Sequence, residues 1–348
     1  MKVLVTGGAG FIGSHIVDAL IEAGAQVRVV DNLHPSTHHE APQYLNKKAE
    51  FLRIDLADEN AVAQVVEGMD AVCHQASMVG LGQSFNDVTD YVKNNDVGTA
   101  CLLRAMYGTG FTGRLVLASS IVVYGQGLWR CAEHELVRPA PRARADLERG
   151  IFDPRCPKCG GALEPQRITE AMPADPVNVY AATKLHQEHL CFIYGGETGV
   201  PVAALRYHNV YGPRMPRDTP YAGVTSIFRS RVEAGMPPRV FEDGNQQRDF
   251  IHVRDVAHAN LRCLLGDRSS AGAFNIATGE AHSVGEMAAA LAAAFGPDAP
   301  RPQVTGDFRT GDVRHVVASP KRANRHLDWH ARVSFDVGMK ELSTSALR

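Results

Sequence analysis

Seven residues near the start constrain this chain more than any others. Gly7-Gly8-Ala9-Gly10-Phe11-Ile12-Gly13 follows a short strand-like run at residues 2–6 and opens an apolar-periodic segment from Phe11 to Ala23. A strand that turns on glycine straight into a helix is the opening of a doubly wound α/β unit. Three of the glycines have separate work. Gly7 allows the tight turn, Gly10 lets a diphosphate approach the backbone, and Gly13 lets the helix lie close on the sheet. The helix start offers free N–H groups and a partial positive charge to the same phosphates. Gln26 to Asp31 reads as a second strand ending on an acid. A carboxylate there accepts hydrogen bonds from a ribose 2′-OH and repels a 2′-phosphate, which favours NAD over NADP.

Alternation continues beyond this unit. Strands are expected at Phe51–Asp55, Ala71–His74 and Arg114–Ala118, with a long helical pattern from Phe85 to Met106. Such alternation implies a parallel sheet covered on both faces. Phe11, Ile12, Asn32, Asp55, Leu56, Gln75 and Ala76 follow strand ends or the glycine turn and are expected to touch the dinucleotide; Asp55 reads equally as a surface helix cap. After Gly125 the pattern breaks, and residues 126–170 are rich in Arg, Pro and Cys. It resumes with a helix from Pro176 to Tyr194 and a strand at Val202–Arg206. Beyond Gly212, Pro and Gly recur at short intervals, with helices expected near 222–235, 253–265 and 283–295. The expected fold is α/β: a Rossmann-type doubly wound parallel sheet over residues 1–212, and a smaller C-terminal substrate-binding lobe over 213–348. Elements of that lobe cross back to the sheet.

Charge narrows the partners. Lys and Arg number 36 against 38 Asp and Glu, so no basic footprint favours nucleic acid. No apolar run reaches the roughly 18 residues needed to span a membrane. The start lacks the long apolar core of a secretory leader. Seven cysteines, an odd number without a dense framework, fit a reducing compartment, and a cytoplasmic protein is expected.

Tyr180-Ala181-Ala182-Thr183-Lys184 puts a phenol and an amine on one face of the expected helix, one turn apart. A free tyrosine, with a pKa of about 10, is a poor base at neutral pH. A nearby ammonium and the positive ring of a nicotinamide both favour the phenolate. Tyr180 could then take a hydroxyl proton while hydride leaves the carbon. Alone, the pair is more often a solvated helix face. Ser119-Ser120 at the end of the fifth strand gives it weight, because ligands of a doubly wound sheet sit at the carboxyl ends of its strands.

Five blocks occur in order: the glycine loop, Ser119-Ser120-Ile121-Val122-Val123-Tyr124-Gly125, Tyr180–Lys184, Arg206-Tyr207-His208-Asn209-Val210-Tyr211-Gly212-Pro213, and Arg248-Asp249-Phe250-Ile251-His252-Val253-Arg254-Asp255-Val256. With them the chain resembles the NAD-dependent epimerase/dehydratase family over nearly its whole length. The resemblance implies that Ser120 and Tyr180 contact a sugar hydroxyl and that Lys184 supports Tyr180 and holds the nicotinamide ribose. It implies that Asn95 is the structural asparagine before Gly98-Thr99, at the cofactor. Asn209 and Arg248 would hold the diphosphate of a nucleotide-diphosphate sugar, and Arg309 would be a further phosphate contact. Guanidinium suits that work because its fork matches phosphate oxygens. Dehydratases of the family carry an Asp-Glu pair where Ile121 and Val122 stand here, and neither of these can move a proton. What remains is hydride out and hydride back, an epimerisation expected at C4. A dehydrogenase or reductase with net cofactor turnover and a non-catalytic NAD-binding regulator are the other readings. Pairing through two long helices implies a homodimer.

The break at 126–170 holds Cys131-Ala132-Glu133-His134 and Cys156-Pro157-Lys158-Cys159-Gly160. Cys-x-x-Cys-Gly has the form of a metal knuckle, and Cys131 with His134 would complete a Cys₃His tetrahedron for a structural zinc. Reduced thiols, or a redox pair, are the other readings. An insertion of this kind resembles that of the dTDP-L-rhamnose 4-epimerases within the family, although Glu135 stands where a glycine is expected in that group. Cys73, Cys101, Cys191 and Cys263 lie in apolar segments and are expected to be inert. Residues near 78–84 and 215–229 are expected to line the sugar pocket.

Overall fold

The computed structural model describes residues 1–35, 37–38, 42–80, 85–217, 223–266 and 270–348. Seven parallel strands form its central sheet: β1 (Lys2–Thr6), β2 (Gln26–Asp31), β3 (Glu50–Arg53), β4 (Ala71–His74), β5 (Arg114–Ser120), β6 (Val202–Tyr207) and β7 (Gly272–Ile276). Their order is β7-β6-β5-β4-β1-β2-β3. The chain therefore reverses direction across the sheet between β1 and β4, which opens a crevice at the carboxyl ends. Val3, Leu4 and Val5 are fully buried, as a strand covered on both faces demands. One core lies between the sheet and the helices Phe11–Glu22 and Val253–Leu265, the other between it and Glu59–Val66, Gly98–Gly108 and Val179–Thr198.

Several elements differ from the sequence expectation. β7 has no counterpart in it: Gly272-Ala273-Phe274-Asn275-Ile276 is five residues with glycine and asparagine, and it is ordered by pairing with β6 in register from Ala203 to Tyr207. β5 runs two residues past Ala118, because Ser119 and Ser120 pair with Arg206 and Tyr207. The helix expected from Pro176 starts at Val179, where the Asn178 side chain accepts from Ala181 N–H at 2.8 Å, and it ends at Thr198 before left-handed Gly199. The 85–106 pattern is a short 3₁₀ turn, a helical turn Val88–Tyr91, a π-helical stretch Val92–Val97 and the helix Gly98–Gly108. The π turn delivers Asn95 inward, where it binds both ends of the Met78 peptide and donates to Thr183 Oγ1 at 2.9 Å.

Residues 126–170 are an ordered module. Leu128–Cys131 pairs antiparallel with Glu135–Val137 on one side and Leu163–Gln166 on the other. Strands of three or four residues are too short to show an alternating pattern, so the sequence reads as irregular. Trp129, Cys131, Val137 and Cys156 form its small core. Glu135 adopts φ 57°, a left-handed conformation that glycine takes without strain, at the position where glycine is expected. The C-terminal lobe packs the helices Val224–Glu233, Val284–Phe295 and Phe335–Thr344 around Phe228, Val240, Phe250, Met287 and Leu291. Among the described residues no helix is long and apolar enough to cross a membrane.

Candidate active site

A cleft of about 450 Å³ runs over the carboxyl ends of β1, β2, β4, β5 and β6. Its floor is the glycine turn. Gly7 has φ +67°, and a Cβ there would stand 2.5 Å from the Ala76 nitrogen. A Cβ on Gly13 would stand 2.2 Å from the Gly7 carbonyl, so the helix could not approach the strand. The helix Phe11–Glu22 begins after Gly10 without a side-chain cap, which leaves its first N–H groups facing the cleft. Asp31 accepts from Ala9 N–H at 3.1 Å and Leu33 N–H at 2.9 Å. Burial raises its pKa, and those two N–H groups pull the other way. Phe11, Ile12, Asn32, Asp55, Leu56, Gln75 and Ala76 line the same cleft. A turn that excludes side chains, an uncapped helix start and an acid at the end of β2 together fit a dinucleotide with a free 2′-OH.

Ser120, Tyr180 and Lys184 line the cleft farther along. Ser120 sits at the carboxyl end of β5 and accepts weakly from Val122 N–H at 3.4 Å. Lys184, one turn after Tyr180, donates to the Ala118 carbonyl at 2.8 Å, which ties its helix to β5. Burial pulls Lys184 down to about 7, against the Cys191 thiol and the carboxylates of Glu188 and Asp96. Burial pushes the Tyr180 phenol up to about 12, opposed by the Ser120 hydroxyl. Burial therefore works against the phenolate that the neighbouring ammonium is expected to favour.

Behind these residues lies a network that sequence reading missed. Glu188 takes Arg206 in a two-point pair, 2.9 Å from Nε and 2.7 Å from Nη2, with the side chains 2% and 8% exposed. Ser119 donates to Glu188, so the paired serines divide their labour. Arg206 Nη1 donates to the Tyr124 hydroxyl at 2.7 Å, and that hydroxyl donates to Asn275 on β7 at 2.7 Å. The helix carrying Tyr180 is thus pinned to β5, β6 and β7. Glu188, one turn beyond Lys184, was the available signal.

Other expected residues are placed as follows. Asn209 lines the cleft, as do Met78, Val79, Met215, Pro216, Gly223, Val224 and Thr225. Residues 81–84 and 218–222 of the expected sugar pocket lie outside the described residues. Asn95, Arg248 and Arg309 are not among the described lining residues. Arg248 donates to the carbonyls of Gln247, Arg314 and Val313 at 2.8, 2.9 and 2.6 Å. The Arg309 guanidinium lies 5.4 Å from the centre of the Phe241 ring. His208, not singled out from sequence, is a buried lining residue with both ring nitrogens unpartnered, and burial lowers its pKa to about 3.

In the 126–170 module, Cys131, His134, Cys156 and Cys159 bring their four ligand atoms within 4.8 Å of one another. Cys131 Sγ is 3.6 Å from both His134 Nδ1 and Cys159 Sγ, and Cys156 Sγ is 3.7 Å from His134 Nδ1. Cys73 and Cys191, by contrast, lie in the core, where burial pushes their thiols up to about 12.

Comparison with known proteins adds a separate line of observation. Two family descriptions match: "NAD dependent epimerase/dehydratase family" over residues 3–144 and "GDP-mannose 4,6 dehydratase" over residues 160–342. A dTDP-L-rhamnose 4-epimerase from Burkholderia thailandensis is 37% identical across 99% of this chain and 94% of its own length. The structure of a UDP-glucose 4-epimerase from Thermus thermophilus in complex with NAD superposes with a TM-score of 0.78 at 32% identity, covering 99% of this chain and 98% of that one. UDP-glucuronic acid 4-epimerase from Bacillus cereus, in complex with UDP-glucuronic acid and NAD, gives 0.80 at 25% identity with the same coverage.

Proposed function

We propose that this chain, which belongs to the NAD-dependent epimerase/dehydratase family, inverts C4 of a nucleotide-diphosphate sugar without net use of cofactor. The observation that carries the reading is the meeting of Ser120, Tyr180 and Lys184 with the glycine turn in one cleft. Ile121 and Val122 line that cleft and bring no proton-transfer group, which argues against dehydration. Bound NAD would supply the acceptor and donor of the hydride exchanged with the sugar carbon. Tyr180 as phenolate takes the hydroxyl proton as the C–H bond breaks, leaving a ketone. After the sugar has turned, hydride returns to the opposite face and Tyr180 gives its proton back to the oxygen. Ser120 orients that oxygen, and Lys184 stabilises the phenolate and holds the nicotinamide ribose. Asn209, Arg248 and Arg309 are assigned to the diphosphate by resemblance. The Burkholderia relative, and the resemblance of the cysteine-bearing insertion to that of the dTDP-L-rhamnose 4-epimerases, point to dTDP-L-rhamnose and its C4 epimer as the sugar pair. The reading includes a cytoplasmic homodimer paired through the two long helices.

The test is incubation with dTDP-, UDP- and GDP-sugars in heavy water without added cofactor. Isomerisation of one sugar with no deuterium at carbon is the expected result. Deuterium at carbon would mean deprotonation by a group other than Tyr180. Conversion only on addition of NAD or NADH, with its stoichiometric consumption, would replace epimerisation by a dehydrogenase or reductase reaction.

The reading also assigns a structural zinc to Cys131, His134, Cys156 and Cys159. A tetrahedron with Zn–S of about 2.3 Å and Zn–N of about 2.0 Å has S···S edges of about 3.8 Å and S···N edges of about 3.5 Å. The observed separations of 3.6, 3.6 and 3.7 Å fall close to those edges. Protein prepared without chelator is expected to carry about one zinc per chain, lost in Cys156→Ser. Metal analysis showing almost none would end this assignment.

A further inference from the structure

The module at 126–170 does more than fill a gap between two blocks of the site, because its charged groups meet the stretch 312–319. Ile168 N–H donates to Val317 O at 2.9 Å, and Ser319 N–H donates to Ile168 O at 2.8 Å. The rings of Trp129 and His315 lie 5.4 Å apart. Arg142 donates to the Asp312 carbonyl at 2.8 Å and pairs with Glu242 at 2.8 Å, both side chains being 3% exposed. Asp153 takes Arg314 Nε at 2.7 Å and His315 Nε2 at 3.3 Å. Arg314 then meets Glu242 at 2.9 Å and Asp243 at 2.7 Å, so one buried carboxylate joins an arginine of the module to an arginine of the lobe.

The same stretch is also held by Arg248, whose guanidinium donates to the carbonyls of Val313 and Arg314 and whose backbone bridges Val316. The orientation of the Arg248 fork therefore depends on where residues 313 and 314 stand. Arg142 holds the Asp312 carbonyl and Asp153 holds the side chains of Arg314 and His315, so the two anchor residues on either side of Val313. The pairs of Glu242 with Arg142 and Arg314 are buried, so removing one partner leaves an uncompensated charge, whereas the Asp153 carboxylate reaches the surface.

We infer that Arg142 and Asp153 are positioning residues for the nucleotide diphosphate: they fix the 312–315 stretch against which Arg248 is aimed. The inference rests on the assignment of Arg248 to that diphosphate. It predicts an effect on substrate affinity from a module that contributes no residue to the described lining of the cleft.

The experiment compares full-length, NAD-loaded wild type with Asp153→Asn, Arg142→Met and Arg142→Lys. Calorimetry measures Kd for dTDP and UDP, initial rates give KM and kcat on the active sugar, and NAD content and Tm are recorded alongside. Asp153→Asn and Arg142→Met are expected to raise Kd and KM about tenfold, within the coupling seen between groups of one network. NAD content and kcat stay within about twofold, and Arg142→Lys recovers part of the loss. Asp153 has a side chain 64% exposed, so its variant keeps the test open if Arg142→Met does not fold. Unchanged affinity in folded Asp153→Asn and Arg142→Lys overturns the inference. An equal loss of NAD and nucleotide binding overturns it too, by showing a general loosening. Arg248→Met separates the underlying assignment: if it leaves dTDP and UDP binding at the wild-type level, Arg248 is not at the diphosphate and both fall.

Discussion

Tyr180→Phe is expected to lower kcat by about 10³-fold or more while leaving NAD in place. The substitution removes one oxygen from a half-buried ring whose centre lies 6.1 Å from that of Tyr91, so the packing around it is kept. What is lost is the group assigned to hold the hydroxyl proton between the two half-reactions. Discontinuous assay of sugar epimers gives the rate, and release of NAD on denaturation gives cofactor content. Activity within about tenfold of wild type would remove Tyr180 from the reaction. Stability is expected to be little changed, since a hydroxyl that lines the cleft beside Ser120 contributes little net free energy.

The second large effect is on stability, at Arg206. Arg206→Met strands the Glu188 carboxylate in a site where it is 2% exposed, and also removes the donor to Tyr124. Breaking one side of a buried pair costs about 3–5 kcal/mol. Urea unfolding at pH 7 measures it. Adding Glu188→Leu to Arg206→Met is expected to recover part of the loss, because the stranded charge is then gone as well. A loss below about 1 kcal/mol would mean that the pair behaves like a solvated surface bridge.

The parts of the site that could be read from sequence are those whose chemistry is local. Gly7, Gly10 and Gly13 lie within one turn, and Tyr180 and Lys184 within one helical turn, so their spacing, taken with Ser119-Ser120 and the order of the blocks, points to them. The Glu188–Arg206–Tyr124–Asn275 network joins a helix, two strands and the turn after β5, and no spacing rule connects such positions. Arg248 shows a different limit. A motif locates the residue, yet only packing tells that its guanidinium is held by backbone carbonyls. In the inserted module the meeting of Cys131, His134, Cys156 and Cys159 is legible from their spacing along the chain. Its sheet is not, because three short strands around Trp129 carry too few residues to form a period.

The late arrival of β7 has a consequence for synthesis. Until Ile276 is made, β6 is the outermost strand of the growing sheet, with one row of its backbone groups unpaired and apolar side chains on either face. About 70 residues separate the end of β6 from the end of β7, which at roughly 5–20 residues per second leaves that edge open for roughly 4–14 s on the ribosome. A bare, apolar strand edge is the template on which nascent chains pair with one another. The chain thus spends part of its own translation in need of shelter, and its yield in a cell depends on elongation rate and holdase supply as well as on the stability of the finished fold.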